Sequence, residues 1–174
     1  MRIEFDGQTQ SHKMIRRALW YFSELLMDSD QRAKDFVINI LPASASGLDD
    51  MGLLPVDCED VVGATYVQPG LLDSRLAKQF TIVFDPTLTP GQVFQTLAHE
   101  MVHVAQYVSG DLYVVWNGES MDEFWKGVHV PSSDDYMSLP WEEEAYRLGD
   151  ELLQGLIEEN DFESWFVDQD EMHV

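Results

Sequence analysis

The chain has 174 residues, enough for one domain with a core of its own, and 45% hydrophobic with 11% aromatic residues exclude wholesale disorder. Ten basic residues against 32 acidic ones give a formal charge of −22, which repels phosphate backbones and anionic lipid, so nucleic-acid and membrane-surface partners are not expected. One cysteine, Cys58, builds neither an internal disulfide nor a Cys-rich zinc ribbon, no apolar run reaches about 18 residues, and MRIEFDGQTQ lacks a signal-peptide core; a cytoplasmic setting is the expectation.

The first periodic segment is Ser11–Met27, where Ile15, Ala18, Leu19, Phe22, Leu25 and Leu26 recur at helical spacing behind Ser11, read as an N-cap. Phe36–Leu41 reads as a short buried strand stopped by Pro42, and Ala43–Pro55, rich in Ala, Ser, Gly and Asp, as a loop. Val61–Val67 and Phe80–Phe84 are further strands; in the second, Phe80, Ile82 and Phe84 alternate with Thr81 and Val83. Thr89, Pro90 and Gln92 then spell a capping box with proline at the first helical position, opening a helix that runs to about Val108 and stops at Gly110. Leu112–Trp116 and Glu123–Val128 look like a hairpin, joined through Asn117-Gly118. A final helix begins near Pro140 with Trp141, Ala145, Leu148, Leu152 and Leu156 as its apolar stripe, and Asn160 opens an acidic tail.

Chemistry is concentrated in His99-Glu100-Met101-Val102-His103, an HExxH in the middle of the capped helix. Residues four apart share a helix face, so both imidazoles can reach one metal ion, and neutral imidazole nitrogen suits zinc at about 2.0–2.1 Å. Glu100, one step round, faces water beside the metal and can act as general base. The flanking Val93, Phe94, Leu97, Ala98, Met101 and Ala105 are apolar, so the helix is largely buried, where two histidines and a glutamate need a strong reason.

A third protein ligand is required, and His129 or the run Glu142-Glu143-Glu144 can provide it. At about 100° per residue Glu143 points to solvent, while Glu142 and Glu144 flank the apolar stripe on opposite edges, so spacing leaves both open. Tyr136 or Tyr146 could donate to a scissile carbonyl, and Trp116, Trp125 and Trp141 read as core anchors.

TLAHEMVHVAQY followed by LPWEEEAY resembles the zincin metallopeptidases, closest to small phage and bacterial proteins of the SprT-like or minimal gluzincin kind. The resemblance spans residues 60–155 and implies a zincin-like α+β fold. In it a short mixed sheet packs on an N-terminal helix and on the HExxH helix, and a later helix supplies the third ligand. Aligned on Ala145 that ligand is Glu142, and Phe80–Phe84 takes the place of the sheet edge along which a peptide substrate lies. Tyr146 stands where many gluzincins carry an Asp or Asn supporting a histidine ligand.

The expectation is therefore a zinc metallopeptidase domain over residues 1–158 and an acidic tail over 159–174. His99, His103 and Glu142 hold Zn2+, and Glu100 is the base that activates water against peptide or protein substrates, basic ones being favoured by the charge. A reading from another class is an acidic interaction protein, a nucleic-acid mimic or binder of basic partners on an idle scaffold. It is motivated by the −16 charge of residues 111–174 against −6 for 1–110.

Overall fold

A computed structural model of the chain describes residues 1–5, 11–43, 62–68, 71–131 and 135–160. Most of the Ala43–Pro55 loop, Cys58, and the acidic tail beyond Asn160 lie outside the described residues. Among the described residues the architecture is mixed α+β, with four helices and two small sheets.

The larger sheet is built from β1 (Arg2–Phe5), β2 (Val37–Pro42), β3 (Gly63–Val67) and β4 (Gln79–Phe84), in the spatial order β1-β2-β4-β3. β1 and β2 are parallel with Ile3 opposite Ile38, β2 and β4 are parallel with Ile40 opposite Ile82, and β3 runs antiparallel to β4 with Thr65 opposite Ile82. Ile3, Ile38, Ile40, Phe80, Ile82 and Phe84 share the core face, as the period of two demands. Two helices cover that face, α1 (Ser11–Leu26) and α3 (Pro90–Ser109), burying Leu19, Phe22, Leu97, Met101 and Val102 against it.

Phe80–Phe84 is thus an interior strand and not the sheet edge that the family resemblance implied. Phe80, Ile82, Val83 and Phe84 are all buried, the pattern of a strand enclosed on both faces. Among the described residues the edge strands are β1 and β3, and β3, beside β4, has all its residues half-buried. It lies close over α3 because Gly63 has no side chain. A Cβ there would overlap the Thr96 methyl and sit 3.2 Å from the Val83 carbonyl oxygen and 3.3 Å from Glu100 Oε1.

α3 matches the sequence signals residue by residue. Thr89 and Gln92 exchange side-chain and backbone hydrogen bonds as a capping box, Pro90 opens the helix, and Gly110 closes it in the left-handed conformation at φ 83°. In α1, by contrast, Ser11 is the first helical residue, not the cap. A short helix, α2 (Ser29–Ala33), follows, capped by Asp28 and Gln31; neither it nor β1 carries a periodic signal long enough to be read in advance.

The smaller sheet has three antiparallel strands, β5 (Leu112–Trp116), β6 (Met121–Trp125) and β7 (Val128–Val130). The expected single strand Glu123–Val128 is split by a two-residue turn, Lys126-Gly127, both at positive φ (49° and 81°), the geometry that suits a tight hairpin. Trp125 and the buried Trp141 pack together, ring centroids 6.4 Å apart, whereas Trp116 is exposed and is no core anchor. The last helix, α4 (Pro140–Asn160), lays Trp141, Ala145, Leu152 and Leu156 into the core and runs two residues past the expected domain boundary at 158. Among the described residues no helix is long and apolar enough to cross a membrane.

Candidate metal centre

His99 and His103 stand one turn apart on the sheet-facing, capped helix α3, so their rings meet edge to face with Nε2 atoms 3.1 Å apart. Glu142, in the first turn of α4, closes the group from the opposite side. Its Oε1 lies 3.3 Å from His103 Nε2 and its Oε2 3.4 Å from His99 Nε2, and its side chain is 1% exposed. Two atoms each about 2.0–2.1 Å from a tetrahedral ion lie about 3.3 Å from one another. The three separations therefore match a site for a single small cation, and these are the residues among those described that could hold one.

Hydrogen bonding tests that fit. Glu142 Oε2 and Glu100 Oε2 are buried without a hydrogen-bond partner, which in an apolar setting is costly for a carboxylate and is relieved by a cation. His103 Nδ1 lies 2.9 Å from Gln106 Oε1, an acceptor, so Nδ1 carries the proton and the Nε2 lone pair is turned to the centre. Gln106 is itself held by its amide, which donates to the Trp141 carbonyl at 3.0 Å and to Glu144 Oε2 at 3.1 Å. His99 Nδ1 has no such acceptor; the Tyr146 ring covers that imidazole, centroids 4.5 Å apart. Two imidazoles and one carboxylate are a donor set that suits zinc.

The same contacts set the protonation equilibria. Burial by itself would raise the Glu142 pKa, but the His103 and His99 imidazoles beside it outweigh burial and hold the carboxyl at about 2. Burial would lower the His103 pKa, yet the Glu142 and Glu100 carboxylates carry it above the ordinary imidazole value. For Glu100 burial wins, and its pKa is raised against the pull of both histidines. That side chain sits beneath the edge strand, where the Thr65 hydroxyl donates to the Glu100 backbone carbonyl at 3.1 Å.

A cavity of about 740 Å³ opens over the group, walled by β3 on one side and by Tyr136, Trp141 and Tyr146 on another. Tyr136 leans on Glu142, and burial followed by that carboxylate raises its phenol pKa; Tyr146 is raised by burial and by the same charge. Glu123 of β6 also lines the cavity, and burial, then Glu142, raises its pKa.

The structure thus separates the third-ligand alternatives. Glu142 joins the histidines. Glu144, two residues on, turns instead to Gln106 and to Lys126 Nζ at 3.1 Å. Glu143 is exposed, and His129 faces away on β7, 3.8 Å from Asp122. Sequence reasoning missed Gln106, Thr65, Gly63 and Gly149. Gln106 was findable in part, since it follows His103 by three residues and so shares its face. Compared with known proteins, the chain matches no family model, no curated protein and no solved structure.

Proposed function

We propose that the chain is a zinc-dependent peptidase of zincin-like, gluzincin type, with His99, His103 and Glu142 holding the ion and Glu100 acting as general base. The observation that carries this reading is the arrival of a fully buried Glu142, from a helix forty residues downstream, within 3.3–3.4 Å of both HExxH imidazoles. When bound, zinc supplies a Lewis acid for polarising a carbonyl and acidifying water. Glu100, with a pKa raised by burial, is suited to take a proton from water on its partnerless Oε2 and return it to the leaving amine. Gln106 fixes the His103 tautomer so that its Nε2 keeps a free lone pair. The outer edge of β3, unpaired among the described strands, offers backbone groups to an extended peptide, in place of the interior strand β4. Tyr136 and Tyr146, exposed at the rim of the cavity, present phenol donors beside the centre for the oxygen on which charge develops.

The test is a pair of measurements on purified protein. Wild type is expected to carry one equivalent of zinc, His103→Ala and Glu142→Ala to lose it, and Glu100→Gln to retain it while peptide hydrolysis falls by a factor of about 10² or more. Wild type with no affinity for zinc, or Glu100→Gln with full activity, would overturn the reading.

A further inference from the structure

The floor of the cleft is one face of α3: Gln92, Thr96, His99, His103 and Tyr107 follow at steps of three or four and all line it. Tyr107 therefore lies one turn, about 6 Å, beyond His103. At that end the wall is the inner face of the smaller sheet. Asp122 and Phe124 point outward, to His129 and Tyr113, so their neighbours on β6, Glu123 and Trp125, point inward.

That inner face is otherwise apolar. Glu123 pairs across the ladders with Val114 and Val130, and Leu112, Trp125 and Val130 pack with Leu139 and Trp141. The Glu123 carboxylate is half-buried and makes no hydrogen bond or ion pair among the described residues. Basic side chains of the same sheet are engaged elsewhere, Lys126 with Glu144 and His129 with Asp122. A carboxylate set into an apolar wall costs free energy unless a cation or water serves it.

We propose that Glu123 forms the base of a substrate side-chain subsite that selects lysine or arginine beside the scissile bond. The assignment rests on the peptidase reading for its substrate, and on the cleft geometry for its place. A long basic side chain entering past His103 lays its apolar stem along Leu112 and Trp141 and brings its charged head to Glu123. The C-terminal end of α3, about half a turn beyond Tyr107, adds the negative end of the helix dipole.

The experiment measures binding apart from turnover. Zinc-loaded Glu100→Gln protein is titrated with blocked tetrapeptides that differ at one position, arginine, lysine, norleucine or glutamate, with Trp125 and Trp141 fluorescence as the readout. Basic peptides are expected to bind about tenfold tighter than the norleucine peptide, and Glu100→Gln/Glu123→Gln to lose that preference. Equal binding of basic and norleucine peptides, no binding of either, preference surviving Glu123→Gln, or loss of zinc from Glu123→Gln would each overturn the subsite. Cleavage by wild type without basic preference sinks the subsite and leaves the peptidase standing. Selective binding without cleavage does the reverse.

Discussion

The Gln106 carboxamide serves three groups at once: its oxygen faces His103 Nδ1, and its nitrogen donates to the Trp141 carbonyl and to Glu144. Gln106→Leu keeps the volume and removes all three contacts, leaving the buried His103 N–H unpaired and the Trp141 carbonyl with its helix hydrogen bond alone. Zinc affinity is expected to fall 10- to 100-fold. The metal-free protein should lose about 1–3 kcal/mol, read by chelator competition and by denaturant melts. Unchanged affinity would mean that His103 is oriented by packing alone. At this scale the HExxH pair was legible because one helical turn places both imidazoles together whatever the rest of the chain does. Gln106 was legible only in its place on the His103 face, since a glutamine on a helix face usually meets water. Glu142 and Glu144 were indistinguishable by spacing, lying on opposite edges of the same apolar stripe.

Where α3 and α4 cross, Gly149 faces His99 so closely that a Cβ would sit 3.2 Å from both its backbone nitrogen and its Cα. Gly149 is seven residues from Glu142, hence on the same side of α4, and the close approach carries the carboxylate to the histidines. Alanine at an ordinary helix position gains about 0.5–1 kcal/mol over glycine. Here helix backbone is the obstacle and cannot turn aside as a side chain would. Gly149→Ala is therefore expected to destabilise by about 1–3 kcal/mol and to weaken zinc binding, measured by thermal melts with and without metal. A stabilised variant with wild-type affinity would refute the close-crossing account. The long helices were legible because caps and apolar stripes are local signals: Thr89, Pro90 and Gln92 at the start of α3 and Gly110 at its end. β1 and α2 were missed because four or five residues hold too few positions to show a period. The Lys126-Gly127 turn was hidden inside a run read as one strand.

At the scale of the whole molecule, metal binding at this site would couple to folding stability. Ligand at about a thousand times its dissociation constant stabilises by about 4 kcal/mol, which for a domain of this size is roughly 8–16 °C in melting temperature. Removing zinc with a chelator should cost about that much, and Glu142→Gln should abolish the difference. The sign of its pH dependence follows from the site. His103, raised above its ordinary value, contributes stability to the metal-free protein that is fully present below pH 6.5 and lost as pH rises through its folded value. Glu100, a buried acid with a raised pKa, likewise favours the metal-free fold at low pH and costs more as it ionises. Protons also compete with the ion for the imidazoles. The zinc-induced rise in melting temperature should therefore grow from pH 5.5 to 8; a rise constant over that range would argue against histidine ligation. By itself, the sequence determined what depends on residues near one another in the chain: the capped helix, the paired imidazoles, the acidic charge and the α+β alternation. Only the tertiary structure decided which acid completes the site, which strand forms the open edge, and where Glu123 faces. Those outcomes rest on how closely distant elements approach and how each helix is rotated about its own axis, and here two missing side chains, at Gly63 and Gly149, set both distances.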